Sequence, residues 1–379
     1  MSATAYWFCP ENDIALAGGK ANFTPPRQAA LLARYGAPLM WWLGASDDVV
    51  LVPSDLTAEE ADALYEWESS VTACFGAGPR LLRSLGGVDV GSLRPWGWSA
   101  YAAARLRKAG APLRLLAEVT PQLEAIRLLS HRRSSVEITR RLAETVDFDR
   151  FGIPAGVIPQ EVCDISEIMP LLEAGNGLVA KSPWSSSGRG VVSSRDMRPE
   201  AFLRRCANTI RRQGSVMIEN HHDVVADFAM LFESTAAGVN FIGLSRFHNC
   251  RGASYAGNDI ATDGEIRREL SALIPGQLLE EVQQALRTGL TDMTGGCYRG
   301  PLGVDMLVAV RADGSRYLVP CVELNLRCTM GFVAHALRRR LPSDFTRMTI
   351  TAAGHSGVPA ALRRLALVPT NPCFSIVAE

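Results

Sequence analysis

A chain of 379 residues exceeds one ordinary hydrophobic core, so two or three packed lobes are expected. The 39 basic and 39 acidic residues cancel to a formal charge of zero, which leaves no electrostatic pull toward nucleic acid or an anionic membrane. With 47% hydrophobic and 21% charged residues, no run of apolar residues long enough to span a bilayer and no basic, apolar leader, the composition is that of a globular cytoplasmic protein. The nine cysteines are scattered singly and are odd in number, which fits reduced thiols rather than a disulfide frame.

Residues 1 to about 115 alternate short apolar runs ("AYWFC", "DVVLVP") with helical stretches ("PPRQAALLARYG", "TAEEADALYEWESS", "GWSAYAAARLRKAG"), the pattern of a βα-layered lobe. Pro25 and Pro26 suit a helix start. After the first apolar run, "CPENDIALAGGKANFTPP" places Asn12, Asp13 and Lys20 in a glycine-rich loop, where βα lobes commonly bind ligands; an acceptor substrate is the candidate there. The aromatic clusters "MWW" at 40–42 and "RPWGW" at 94–98 read as core. From about 116 to 150, Leu123, Ile126, Val136, Ile138 and Leu142 form the buried stripes of two helices, broken at "LSHRRSS".

Strands then dominate: "GLVAKSP", "GVVSS", "SVMIEN", "DFAMLFES" and "VNFIGLSRF", followed by a helix near 276–289 and the strands "GPLGVDMLVAV" and "RYLVPCVELNLR". Mixed helices and mainly antiparallel strands predict an α+β unit after the βα lobe. Lys181 closes the first of these strands and is one of only three lysines among the 39 basic residues. The "SSSGRG" that follows offers consecutive backbone N–H groups and hydroxyls to a phosphate, with Lys181 as a compact charge; a solvent-exposed hairpin tip is the competing reading. Further on, "SRFHNCRGASYAGNDIA" is a polar loop in which Arg251, Tyr255 and Asn258 are candidates for binding a carboxylate substrate, an ordinary surface loop being the alternative.

The hairpin "GVDMLVAVRADGSRYLVPCVELNLRCTMG" turns at Asp313-Gly314. Glu323, Asn325 and Arg327 alternate along its second strand, so all three side chains leave one face at about 7 Å intervals. A symmetric two-residue turn would set Asp305 opposite Val322, on the wrong face. A three-residue connection or a bulge is therefore predicted, placing Asp305 beside Glu323. Two carboxylates and an amide oxygen are hard ligands suited to Mg²⁺ shared with nucleotide phosphates, Mn²⁺ being the alternative ion, and Arg327 can neutralise a transferring phosphoryl group. A salt-bridge ladder on an exposed sheet face is the competing reading. No GxSxG, HExxH, Walker A loop or kinase signature is present, and His221-His222 read as surface.

"LVAKSPWSSSGRGV", "SVMIEN", "LGVDMLV" and "VELNLRCTMG", in that order, resemble the ATP-grasp superfamily, and the preceding lobe is similar to a pre-ATP-grasp domain. The resemblance implies an α+β fold of two subdomains gripping a nucleotide, with a smaller α/β lobe over residues 1–115 and the grasp domain over 116–379, its subdomains about 116–215 and 216–379. It implies ATP and Mg²⁺ as cofactors and activation of a carboxylate as an acylphosphate for attack by an amine. A kinase on the same scaffold and a non-catalytic ATP-binding protein are the alternatives. Lys181 and Arg132 would contact phosphates, with Ser186, Ser187, Gly188 and Gly190 as the lid. Glu219, Asn220 and His222 would line the adenine, Asp227 the ribose, and Asp305, Glu323 and Asn325 the metal, with Arg327 at the γ-phosphate. Small-molecule carboxylate and amine partners are implied, with a homodimer as the ordinary expectation for such enzymes and neither nucleic acid nor membrane as partner.

Overall fold

The computed structural model describes residues 2–175, 177–185, 190–250, 254–352 and 364–379. Two compact units are formed, one from Met1–Glu124, Ala256–Thr262 and Arg327–Glu379, the other from Ala125–Tyr255 and Asp263–Leu326. Among the described residues no helix is long and apolar enough to cross a membrane, and all nine cysteines are free thiols.

The first unit carries a four-stranded sheet in the order Arg80–Leu82, Val49–Leu51, Ala3–Trp7, Val90–Pro95, every pairing parallel. Helices expected from the apolar spacing follow these strands: Arg27–Gly36 begins directly after Pro26, and Ala58–Phe75 is opened by a capping box in which Thr57 and Glu60 satisfy each other's backbone N–H groups. The "MWW" cluster is core, with Trp41 and Trp42 packed edge to face at 5.1 Å and both in contact with Trp67.

What covers these tryptophans comes from the other end of the chain. Leu337, Phe345, Met348, Leu367 and Ile376 belong to the same core. The indole nitrogens of Trp42 and Trp67 donate to the carbonyls of Leu367 and Ala366, at 3.0 and 2.9 Å. Residues 327–379, read from the sequence as the end of the grasp domain, thus complete the core of the N-terminal lobe. Within this unit the strands Arg347–Ala352 and Phe374–Ala378 pair antiparallel, and residues 257–259 of the strand Ser254–Asp259 pair with Arg347–Ala352.

The second unit contains two antiparallel layers. One is the sheet Gln160–Val162, Val216–Asn220, Leu178–Lys181, Val191–Ser193, covered by the helix Pro199–Gln213. That helix starts on a proline, buries Phe202 and Cys206 one turn apart, and ends on Gly214 in the left-handed region at φ 88°. The other layer is built of four long strands, Arg316–Asn325, Gly300–Val310, Asp223–Thr235 and Gly238–Cys250. Against it pack Gly276–Thr294, with Leu278, Val282, Leu286 and Leu290 on one stripe, and Arg133–Thr145. The break at "LSHRRSS" separates Leu123–Leu129 from Arg133–Thr145.

Candidate active site

The hairpin that carries the predicted acidic pair has both devices the parity argument required. Arg311 and Ser315 close a three-residue connection, with Gly314 at φ 83°, and Val310 pairs with Arg316. That connection alone puts Asp305 on the same face as Glu323. A bulge between Asp305 and Leu307, absorbing two extra residues around Pro320, then sets Asp305 directly opposite Glu323. Asn325, two residues on, donates its amide to Asp305 Oδ2 at 3.1 Å. Asp305, Glu323 and Asn325 therefore stand together, as an all-oxygen-capable set on a rigid strand pair. Such a set fits Mg²⁺ in charge and hardness. Among the described residues no group of three or more His, Cys, Asp or Glu side chains is placed to hold a metal.

One buried cation meets this acidic set, and a second is paired elsewhere in the same unit. Arg132 is 7% exposed and is held by its whole length: Nε donates to the Ser182 carbonyl at 3.0 Å, Nη2 to Ser185 Oγ at 3.2 Å, and Nη2 also pairs with Glu323 Oε1 at 2.9 Å. Its backbone N–H donates to the Pro183 carbonyl. Lys181, 8% exposed, ends the strand Leu178–Lys181 and forms an ion pair with Glu219 of the neighbouring strand. The pairing is diagonal, since Val179 is the residue directly opposite Glu219.

The base of the serine–glycine loop is fixed on both sides. Ser182 donates its backbone N–H to the Gly190 carbonyl, and Trp184 exchanges hydrogen bonds with Gln213 while its indole donates to the Arg127 carbonyl. A Cβ on Gly190 would lie 2.6 Å from Ser182 Oγ, and φ there is 76°, so only glycine closes the loop against Ser182 and Ser185. Ser186, Ser187 and Gly188 fall outside the described residues, as does Arg251.

Asn220 ends the strand Val216–Asn220 opposite Leu178. His222 Nδ1 is 2.8 Å from the Tyr317 hydroxyl, and burial pushes its pKa below the ordinary histidine value. Asp227 lies opposite Leu307 and accepts from Asn249 Nδ2 at 3.0 Å; burial raises its carboxyl, with the Asn249 amide acting against it. Burial likewise pushes the Cys321 thiol, adjacent in the strand to the acidic set, up to about 12, which keeps it protonated.

The remaining sequence candidates are divided between the two units. Arg327 belongs to the first unit, where Nε donates to Asp13 Oδ2 at 2.8 Å, so Asp13 and Arg327 come together there. Asn12 is buried beside them. Tyr255 falls in the second unit, whereas Asn258 is buried in the first, opposite Met348. Ser182 and Ser185, which hold Arg132, and Ser135, which accepts from the Leu324 N–H at 3.1 Å, were not singled out from the sequence. A serine directly after a strand-end lysine is the only local signal any of them carries.

No protein-family model matches the chain, and no curated protein does. Solved structures with similar backbones include biotin carboxylase from Campylobacter jejuni in an ATP-type complex, at 13% identity and a TM-score of 0.49, covering 99% of this chain and 86% of that one. N5-carboxyaminoimidazole synthetase from Staphylococcus aureus is 10% identical with a TM-score of 0.47, over 100% and 93%. A RimK domain ATP-grasp protein from Sphaerobacter thermophilus is 17% identical with a TM-score of 0.34, over 77% and 98%. The chain's own elements, a parallel-sheet α/β lobe and two antiparallel α+β layers that carry Lys181 on one and the Asp305–Glu323 pair on the other, have the layout that the resemblance to an ATP-grasp fold with a pre-ATP-grasp lobe implies.

Proposed function

We propose that the protein is an ATP-dependent ligase that joins a carboxylate to an amine and releases ADP and phosphate. One observation carries this reading: two buried cations of the second unit each hold a carboxylate, Lys181 with Glu219 and Arg132 with Glu323, and a third carboxylate, Asp305, stands opposite Glu323. That is the equipment of phosphoryl transfer, which needs positioning and charge neutralisation rather than an enzyme nucleophile.

In this reading a carboxylate oxygen attacks the γ-phosphorus, the bond to the bridging oxygen breaks, and ADP leaves with that electron pair. The amine nitrogen then attacks the acyl carbon, phosphate departs, and the nitrogen loses a proton to give the amide. Lys181 and Arg132 hold phosphate oxygens, exchanging Glu219 and Glu323 for them. Ser182 and Ser185 keep Arg132 aimed, and Glu219, Asn220 and His222 line the base, with Asp227 toward the ribose. Asp305, Glu323 and Asn325 would hold Mg²⁺, which would supply charge neutralisation for the transferring phosphoryl group.

Glu323→Gln tests the assignment. Turnover measured as ADP release should fall at least about 100-fold, while binding of a nucleotide analogue, followed by calorimetry, survives within a few-fold. Unchanged turnover would remove Glu323 from the metal set. A stable phosphorylated product, in place of free phosphate released only when acid and amine are both present, would replace the ligase by a kinase.

A further inference from the structure

In the parallel sheet of the first unit the central strand Ala3–Trp7 has Val49–Leu51 on one side and Val90–Pro95 on the other. The chain leaves the central strand toward one edge and returns on the opposite side, so a topological switch point lies between Ala3–Trp7 and Val90–Pro95. Open α/β sheets bind ligands outside the carboxyl ends of the strands at such points. Here those ends continue into residues 8–12 and 96–99.

The two loops are tied into one cluster. Trp96 donates its N–H to the Trp7 carbonyl at 2.7 Å, Cys328 donates to the Trp96 carbonyl at 2.7 Å, and Gly97 bridges to Arg327. A Cβ on Gly97 would lie 2.4 Å from Asn12 Nδ2 and 3.1 Å from Arg327 Cβ, so Asn12, Gly97 and Arg327 converge with no room for a side chain at position 97. Asp13 receives Arg327 Nε at 2.8 Å, and the Tyr101 hydroxyl lies near the Glu11 carboxyl.

At the centre, Glu11 and Asn12 are each 1% exposed, and Glu11 Oε2, Asn12 Oδ1 and Asn12 Nδ2 have no hydrogen-bond partner. A buried donor or acceptor left unmet is destabilising, and three of them in one place call for a partner. The unmet set is two acceptors and one donor. A bare carboxylate or phosphate would meet only the donor and would face Glu11. A divalent cation would leave the amide nitrogen unmet. An ammonium satisfies both acceptors, and a carboxylate oxygen on the same small molecule satisfies the donor.

We propose that this cluster at the switch point binds an α-amino acid, its ammonium on Glu11 Oε2 and Asn12 Oδ1 and its carboxylate on Asn12 Nδ2, beside the Asp13–Arg327 pair. That this amino acid is the amine partner of the ligation rests on the function proposed above; its binding does not.

The test uses the full chain without nucleotide. The twenty common amino acids are scanned by thermal shift, and any that raise the Tm are titrated by calorimetry. For each, the matched acid lacking the amine and the matched amine lacking the carboxylate are run beside it. At least one amino acid should bind saturably while both analogues bind at least tenfold more weakly. Glu11→Gln and Asn12→Leu should each weaken it at least tenfold. Asn12→Leu should also raise the Tm of the unliganded protein, because it removes two orphaned atoms from the interior. Glu11→Gln, nearly isosteric, serves if Asn12→Leu fails to fold. Absence of binding by every amino acid, undiminished binding in a folded variant, or equal binding of the acid that lacks the amine each overturns the proposal. Amino-acid binding with no amide product leaves this site standing and sinks the ligase reading; amide formation undiminished in both variants does the reverse.

Discussion

The two groups of buried polar side chains are satisfied in opposite ways. In the second unit each cation holds a carboxylate of the same site, Lys181 with Glu219 and Arg132 with Glu323, and Asn325 donates to Asp305. In the first, Glu11 and Asn12 are as deeply buried and leave three atoms without partners. The contrast follows from the cost of a buried charge. A lone cation in a low-dielectric interior would deprotonate or repack, so a site meant for a polyanion has to carry stand-in anions. A neutral amide and a carboxyl whose pKa is raised by its own burial can be left unmet at a cost of a few kcal/mol. On the two proposals made above, charge-matched and orphaned clusters are two ways of keeping a site ready for ligand.

Glu219→Gln breaks the charge-matched half of this comparison most directly. It leaves Lys181 buried opposite a neutral amide, and losing one partner of a buried pair costs about 3–5 kcal/mol. Urea unfolding of the free protein should report that loss, and the deficit should shrink when a non-hydrolysed ATP analogue is present, because phosphate oxygens take the place of the carboxylate. A variant as stable as the parent, with no response to the analogue, would show that the Lys181–Glu219 pair does not stand in for phosphate.

The same balance can be tipped with protons. His131 is buried against Trp184 at 4.5 Å between ring centres, faces Glu161 at 3.6 Å, and has Arg127, Arg132 and Arg133 around it. Burial, reinforced by Arg133, lowers its pKa to about 4, with Glu161 opposing. The folded state therefore excludes a proton that the unfolded chain accepts. This contribution is complete above pH 6.5 and is lost as pH falls from 6.5 toward 4, on the order of 2–3 kcal/mol in all. Stability measured at several pH values across this window should fall steadily in the parent, and the slope should flatten in His131→Gln. A slope unchanged by that substitution would assign the acid sensitivity to other groups.

Much of this was legible because it is periodic. The stripe from Val136 to Leu142 gave a helix, and the alternation of Glu323, Asn325 and Arg327 gave a strand face; parity then forced the connection and bulge that set Asp305 opposite Glu323. Parity stops where the strand ends at Asn325, and nothing in the alternation foretells that Arg327 pairs with Asp13. The return of residues 327–379 to the tryptophan core was invisible, since Trp42 and Leu367 are joined across more than 300 residues and no window holds both. Glu11 passed unnoticed beside Asn12 and Asp13 because nothing local tells a buried carboxyl from a loop surface. The serines around Arg132 are hydrogen-bond partners, and composition does not distinguish a partner from solvent-facing filler.

Ser135 gives the smallest expected effect and ties the helix Arg133–Thr145 to the acidic strand. Its hydroxyl accepts from the backbone N–H of Leu324, the residue between Glu323 and Asn325, at 3.1 Å, and both residues are buried. Ser135→Ala removes the acceptor without altering the helix face, leaving a buried N–H unmet at about 1–2 kcal/mol. If the bond merely stabilises the fold, unfolding free energy falls by that amount and the Mg²⁺ dependence of turnover stays put. If it sets the angle at which Glu323 and Asn325 leave the strand, the Mg²⁺ concentration for half-maximal turnover also rises severalfold, because ligand geometry is lost before charge is. The second outcome is the one expected: Arg132, in the turn just before this helix, is clamped to Glu323 at 2.9 Å, so the helix start and the strand end form one rigid corner of the charge-matched site.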